Sequence, residues 1–374
     1  MFRRRARAGI SVVVPAYGVE DYLPACLDSL LAQSVCAAGH DLDVVVVDDG
    51  SPDRSGEIAD AYAARDGRVR VVHTENRGLG AARNEGLRHT RHGLVAFADS
   101  DDVVPPDAYA ALLRQLERTG AELAVGSVSW WQAGTHRTPP WMRRVHASRA
   151  ALSIEQEPRL LGDVFAWNKL FRRDFWDAAG LSWLEGHRYE DQPTTTRAYL
   201  AARRIAVVPD VVYHWRIRDE GTSITQQRGT VDDLTDRWLT KRLSRYAVLA
   251  HGSASVTKVF EERVLPGDLP RYFALIPGCD DDWWALLVSG VRELWGERSL
   301  VRARIAPVHR LTGWLVEQDR REDAAHVVAT VAALPPGERV PRTVDRTGRP
   351  RIDVPGLDPA SVDPAALALR DDEV

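Results

Sequence analysis

Cysteine and lysine are both scarce in this 374-residue chain. Its three cysteines, Cys26, Cys36 and Cys279, form neither a metal-ligand spacing nor an even-numbered disulfide framework. A disulfide-stapled secreted scaffold is therefore not expected, and a reducing, cytoplasmic setting is. Lysine occurs only at Lys169, Lys241 and Lys258, so arginine supplies nearly all of the positive charge, a bias typical of GC-rich coding. No excess of that charge exists: the formal net charge of -4 argues against a dedicated nucleic-acid binder. Long apolar runs are missing too, and nothing approaches the length needed to cross a bilayer. The arginine-rich start is followed by a short run containing Pro15, which reads as a first strand rather than a signal peptide. No solenoid-type repeat is present. What remains is ordinary for a globular protein: 44% hydrophobic and 27% charged residues, enough for two domains or one large domain with an appendage.

Strand and helix patterns alternate over the first hundred residues. Apolar runs at 10–15, 43–48, 68–73 and 94–98 read as strands, and the spacing of Leu23, Leu27, Leu30 and Leu31 predicts a helix over 21–33. Further helices are expected over 57–64, 78–88 and 107–118. Such alternation implies an α/β, mostly parallel open sheet flanked by helices, with the loops after each strand gathered on one ligand-binding edge. A strand follows over 122–131 and a loop over 132–140. Segments 165–171 and 189–192 read as parts of short helices and turns, and 205–208 with 211–215 complete the sheet pattern. Beyond about 228 the pattern turns helical, at 231–249, 281–295 and 307–334. The chain therefore divides into an α/β domain at 1–228, a helical C-terminal region at 229–335 and a Pro/Arg-rich extended or disordered tail at 336–374.

The most informative stretch is Asp99-Ser100-Asp101-Asp102, directly behind the apolar run of the fourth strand. Carboxylates this close repel one another unless a cation or an array of donors is present. Mg²⁺ and Mn²⁺ favour such oxygen ligands and bridge to nucleotide phosphates. An isolated acidic turn has a simpler reading, in which Ser100 or Asp102 caps a helix beginning near Pro105-Pro106. Context on the same edge favours the metal. Val14-Pro15-Ala16-Tyr17 gives a rigid turn and a ring to border a base, and Asp48 or Asp49 can accept from a pyrimidine ring or a ribose. In Asn76-Arg77-Gly78-Leu79-Gly80, the glycines and a helix start offer free amides to an anion, with Arg83 a turn further on. This element lacks the third glycine and the first-strand position of a dinucleotide-binding fingerprint.

Taken in order, Val-Pro-Ala-Tyr17, Val-Asp-Asp-Gly-Ser51, Glu-Asn-Arg-Gly-Leu-Gly-Ala-Ala-Arg-Asn84 and Phe-Ala-Asp-Ser-Asp-Asp102 resemble family 2 glycosyltransferases of the GT-A fold, over roughly residues 9 to 225. The resemblance implies a UDP-sugar donor and a Mn²⁺ or Mg²⁺ cofactor. It implies that Asp99 contacts ribose or metal, that Asp101 binds the ion on the diphosphate, and that Asp102 supports them. Pro15, Tyr17, Asp48, Asp49, Asn76, Arg83 and Ser100 would line the donor site. Tyr189-Glu190-Asp191-Gln192 is similar to the Glu-Asp motif of inverting members, which makes Asp191 the base for the acceptor hydroxyl and Glu190 its neighbour that orients substrate. The alternative is that both acids cap the following helix. Trp167-Asn168-Lys169-Leu170 lies near the acceptor side in bacterial relatives. Val212-Tyr213-His214-Trp215-Arg216, followed by Gly221-Thr222-Ser223, resembles a strand and closing loop in which His214 is a third metal ligand and Arg216 and Ser223 meet phosphate.

By the same resemblance the acceptor is a glycan, polyol-phosphate polymer or lipid-linked species of the cell envelope, as for teichoic-acid and capsule glycosyltransferases. The expected place is the cytoplasm, with peripheral contact at the inner membrane face left open. The stripe Trp283, Trp284, Leu287, Val288, Val291 and Trp295 reads as packing on the catalytic domain. A membrane surface, or a homo-oligomer through the C-terminal helices, is the alternative. Two rival functions stay open. One is a non-catalytic polymer-binding or scaffold member of the same fold, against which Asp101 and Asp191 argue. The other is a nucleotidyltransferase, against which the loop Ala16-Tyr-Gly-Val-Glu20 argues, since it lacks a Gly-rich, Lys/Arg-bearing phosphate loop.

Overall fold

The computed structural model of the chain describes residues 8–132, 134–148, 150–217 and 229–373. Two compact units are present, Met1–Thr222 with Tyr246–Val256, and Ser223–Arg245 with Thr257–Val374. Tyr246–Val256 clusters with the first unit, and the tail with the second.

In the first unit the apolar runs become β1 (Gly9–Ala16), β2 (Asp41–Asp48), β3 (Val69–His73) and β4 (Leu94–Phe97). Val12, Val13, Val14, Val44, Val45, Val46 and Val47 have no exposed surface, as β-branched residues of a doubly covered sheet should. The helices Leu23–Leu31, Ser55–Arg65 and Leu79–Arg88 supply the crossovers. The strands pair in parallel in the order β3-β2-β1-β4, so their C-terminal ends share one edge.

Beyond β4 the sheet becomes mixed. It runs on through β8 (Lys169–Arg172), β5 (Leu123–Gln132), β9 (Ile205–Arg216) and β7 (Ala150–Leu152), with β6 (Thr135–Arg137) pairing to β5. Segment 165–171 was expected in helices and turns, yet Lys169–Arg172 is a central strand antiparallel to both β4 and β5. A four-residue strand is too short for periodicity to identify. The loop expected over 132–140 likewise folds back as β6.

β9 carries an irregularity that matters for the site. Val208 pairs with Gly126, Val211 with Ser127 and Tyr213 with Val128, so extra residues are accommodated around Pro209, which cannot donate to the ladder. The segment after the bulge bridges to Val103, just behind β4, through His214.

In the second unit, Asp280 caps the helix Asp281–Trp295 by accepting from the Trp283 N–H at 2.7 Å. The tryptophan stripe of this helix is buried. Gly290 lies against the Trp238 indole, whose Nε1 donates to the Leu286 carbonyl at 3.1 Å, and Trp284 Nε1 donates to Asp319 at 2.7 Å. These partners lie in the second unit itself. The helix expected over 307–334 is two, Pro307–Glu317 and Arg321–Ala332, separated at Asp319, whose φ is +59°. The tail forms a short antiparallel hairpin, Arg342–Val344 with Pro350–Ile352. Buried Arg310 holds its end, donating to Ala368 O at 2.9 Å and to Glu373 at 2.7 Å.

Candidate active site

The acidic tip leaves β4 and is fastened to β9. Asp102 is buried and accepts the Arg216 N–H at 2.7 Å, while the Asp99 N–H donates to Tyr213 Oη at 2.9 Å. His214 and Val103 exchange backbone hydrogen bonds at 2.9 and 3.3 Å. Burial, with Asp101 and Asp99 close by, pushes the Asp102 carboxyl well above the usual range. The helix behind the tip starts at Ala108 with Asp107 at its N-cap, so neither Ser100 nor Asp102 caps it. Ser100 is buried, whereas Asp101 is half-buried.

Arg83 links this tip to the second acidic motif. Its side chain is 2% exposed; one nitrogen donates to Asp99 Oδ1 at 2.6 Å and another to Glu190, itself 6% exposed. The guanidinium also lies 5.2 Å from the Trp183 ring. Burial pushes the Glu190 pKa up and Arg83 opposes that rise. The sequence reading aimed Arg83 at nucleotide, whereas its two terminal nitrogens engage carboxylates from two separate loops.

The glycine loop after β3 is likewise braced from inside. Asp49 accepts from Arg77 N–H at 3.0 Å, Gly78 N–H at 2.8 Å and Thr74 Oγ1 at 3.1 Å. Asp48 accepts from Ser51 N–H at 3.0 Å and lies 2.9 Å from His73 Nδ1; these bonds lower its pKa against the opposing effect of burial. A carboxylate has about four acceptor sites, so both retain capacity for a ligand. Gly80 serves packing. A Cβ there would lie 2.0 Å from the Leu184 carbonyl oxygen. Asn84 clamps the same strand of chain, exchanging hydrogen bonds of 2.9 Å with both N and O of Trp183.

That segment leads to Tyr189-Glu190-Asp191. Tyr189 has φ +60°, a strained value for an aromatic residue, immediately before the candidate base. Asp191 opens the helix Asp191–Ala201, and the Glu190 side chain makes no capping bond to it. Thr195 on this helix donates to the Asp191 carbonyl at 2.8 Å and the Val164 carbonyl at 3.0 Å. Beneath that contact, buried Lys169 Nζ is surrounded by Asp163 O (3.0 Å), Asp163 Oδ1 (2.9 Å), Phe165 O (2.6 Å) and Asn168 Oδ1 (2.8 Å). His146 completes this buried cluster, 3.1 Å from Asp163.

The remaining expected site residues divide by depth. Pro15 is buried in β1, whereas Tyr17 is 51% exposed and Asn76 is exposed. Arg216 lies over the rings of Trp131 (4.4 Å) and Tyr22 (5.2 Å), and its buried Nε and Nη2 have no hydrogen-bond partner among the described residues. His214 is 4.3 Å from His136, centroid to centroid, and its pKa is pushed down to about 4 by burial and by His136. Ser223 lies outside the described residues. Among those described, no three His, Cys, Asp or Glu side chains are grouped closely enough to hold a metal ion by themselves. Asp99, His214 and Asp101 are thus not gathered into a protein-only metal site. Sequence reasoning missed Asn84, Trp183, Tyr213 as the anchor of the tip, His136, and the Asp163–His146 pair. Only Asn84 had a usable signal, since it closes the glycine-loop motif.

The model of glycosyl transferase family 2 matches residues 11–178. The chain is 34% identical over 215 residues to the uncharacterized glycosyltransferase EpsJ of Bacillus subtilis, covering 55% of this chain and 60% of that one. It is 31% identical over 219 residues to the glycosyltransferase GlyG of Streptococcus pneumoniae, covering 56% and 71% respectively. The fold is similar to that of S. aureus TarS solved in complex with UDP-GlcNAc, with a TM-score of 0.71 at 20% identity over 94% of this chain and 98% of the other. The sheet and its ligand edge are those of the GT-A fold. With motif order, fold and relatives in agreement, the chain belongs to glycosyl transferase family 2.

Proposed function

We propose that the chain transfers a hexose or N-acetylhexosamine from a UDP-sugar to a hydroxyl of a cell-envelope glycan, polyol-phosphate polymer or lipid-linked acceptor, with inversion at the anomeric carbon. The observation that carries this reading is the Arg83 bridge. One buried guanidinium holds Asp99, on the donor edge, and Glu190, beside Asp191, at a fixed separation. Inverting transfer needs that arrangement, because the base must meet the acceptor on the face opposite the departing nucleotide. The TarS complex with UDP-GlcNAc supports the choice of donor.

Asp191 takes the acceptor proton in this scheme. Its charge helps raise the pKa of buried Arg83 and opposes the fall that burial imposes on Lys169. Glu190, fixed by Arg83, orients a substrate hydroxyl. Arg216, with two nitrogens that have no partner among the described residues and with aromatic rings beside it, takes diphosphate oxygens through its planar fork. Pro15, Tyr17, Asp48, Asp49 and Asn76 border the base and ribose, and Ser223 meets phosphate.

The donor set also fits a divalent ion. His214 is neutral at pH 7, as a ligand must be, and its Nδ1 has no partner among the described residues. Asp101 and His214 would hold Mn²⁺ or Mg²⁺, with Asp99 contributing and phosphate oxygens completing the shell. When bound, the ion supplies Lewis-acid stabilisation of the leaving diphosphate. No helix among the described residues is long and apolar enough to cross a membrane. The proposed place of action is the cytoplasm, with peripheral contact at the inner membrane face left open.

A screen of UDP-, GDP- and CDP-linked sugars, read by release of nucleoside diphosphate, tests the reading. Absence of UDP binding at every Mn²⁺ and Mg²⁺ concentration would refute it, and release of pyrophosphate from a nucleoside triphosphate would replace it with nucleotidyl transfer.

A further inference from the structure

The second unit contains a pocket of about 570 Å³ whose charges are unevenly engaged. Arg292, Arg298 and Arg302 line it, together with the acids Glu317 and Asp363. Both acids already have donors. Glu317 accepts from Ser299 Oγ at 2.6 Å and from the Leu300 N–H at 2.5 Å, and Asp363 accepts from the Ala365 N–H at 2.8 Å. Glu317 is thereby turned to the loop it holds, whose Ser299 sits at a strained φ of +52°.

The cations are less satisfied. Arg292 uses Nε on the Glu317 carbonyl at 2.8 Å, which anchors its fork and leaves the terminal nitrogens available. Among the described residues, neither Arg292 nor Arg302 has a carboxylate partner. Arg298 does pair with Glu261, but that carboxylate is shared with Arg245 at 3.2 Å. The rim is therefore cationic, and guanidinium forks match phosphate oxygens in shape as well as charge. Volume argues for more than a bare ion, since it falls among pockets that enclose small organic ligands. Trp314, half-buried in the wall and approached by the Arg320 guanidinium at 5.7 Å from its ring, supplies aromatic surface of the kind that packs against a carbon skeleton.

We propose that this pocket binds a phosphate group borne on a polyol or saccharide, with Arg292 and Arg302 on the phosphate and Trp314 against the carbon chain. The inference deepens the proposed function and rests on it for its purpose, because a polyol-phosphate acceptor carries such a group at every repeat. The pocket would retain the polymer between transfers and raise the local concentration of acceptor hydroxyls.

Isothermal titration of the full chain with glycerol 3-phosphate, inorganic phosphate and glycerol tests it, with UDP binding measured alongside. Glycerol 3-phosphate should bind saturably and at least about tenfold more tightly than inorganic phosphate, and glycerol should not bind. Arg292→Gln and Arg302→Gln should each weaken the phosphoester about tenfold, the loss expected for one charge-assisted contact. Both residues are exposed, so the variants should keep their fold and their UDP affinity. Trp314→Leu should weaken glycerol 3-phosphate and leave inorganic phosphate unchanged. No binding by the wild-type chain, or equal binding by the double variant, would overturn the site. Equal affinity for inorganic phosphate and glycerol 3-phosphate would overturn the polyol portion, leaving a site for free phosphate. Glycerol 3-phosphate binding without any UDP binding would sink the catalytic reading alone; the converse result would sink the pocket alone.

Discussion

Replacing Arg83 by Met keeps the side-chain stem and removes the guanidinium that two carboxylates share. Deleting one partner of a buried ion pair costs about 3–5 kcal/mol, because the charge left behind has lost its water and its counter-ion. Here the two carboxylates differ. Asp99 is 26% exposed and can rehydrate, whereas Glu190 is 6% exposed and cannot. Nearly all of the loss should therefore come from Glu190, which places it near the lower end, about 3 kcal/mol at pH 7.5. Against a typical stability of about 5–15 kcal/mol the variant should still fold.

The loss should also depend on pH, with a sign the structure determines. Glu190 already has a raised pKa from burial, and without Arg83 it should rise further. A carboxyl whose folded pKa exceeds its unfolded value takes up a proton on folding, so its stability penalty is relieved as pH falls. The deficit of Arg83→Met should be greatest above the folded pKa of Glu190 and shrink on acidification. Urea unfolding of wild type and variant from pH 8 to 5, read at the transition of the first unit, measures this directly. Arg83→Met with Glu190→Gln should recover most of the loss at pH 7.5, since no buried charge is then stranded. A deficit below about 1 kcal/mol at pH 7.5, or one that grows on acidification, would refute the bridge as the element joining the two acidic motifs.

Three other substitutions address separate parts of the site. Asp191→Asn should abolish transfer, by about a hundredfold or more in kcat, while UDP-sugar affinity stays within about twofold; retained turnover would remove Asp191 from the base role. Asp101→Asn should weaken UDP binding in the presence of Mn²⁺ and leave metal-free binding unchanged, a difference that calorimetry with and without chelator resolves. Gly80→Ala tests packing against propensity. Helix propensity alone predicts a gain of up to about 1 kcal/mol, but the new Cβ would stand 2.0 Å from a backbone oxygen that cannot rotate away, so a net loss of about 1–3 kcal/mol is expected in thermal unfolding.

The parallel half of the sheet was legible because its evidence is local. Each of β1 to β4 is a short apolar run, the helices between them show their own periodicity, and the chirality of crossovers sets the edge on which the motifs meet. The antiparallel half was not. β8 has four residues and owes its place to partners at 94–96 and 123–125, contacts that no window around Lys169 contains. The break at Asp319 was hidden for a different reason: the apolar spacing on either side is compatible with one helix, and only the chain's reversal requires two.

The site residues show a finer distinction, between finding a position and knowing its bonds. Asp48, Asp49 and Arg83 were identified as donor-site positions from the ordered motifs, and Asp102 as a supporting carboxylate. In the structure Asp48 and Asp49 brace the loops after β2 and β3, Asp102 fastens β9 to the loop after β4, and Arg83 joins Asp99 to Glu190. Sequence patterns report that a residue type is needed on an edge; they do not report whether its charge faces a ligand or another loop. The difference is decided by partners about a hundred residues away, such as Glu190 for Arg83 and Arg216 for Asp102. This division has a physical reason. A nucleotide–metal site must hold several like charges close together, which requires a surrounding set of fixed donors. In this chain the Arg83 fork, the Arg77 and Gly78 amides and the Arg216 amide are fixed donors of that kind, so much of what the motifs on this edge encode is the rigidity of the candidate site.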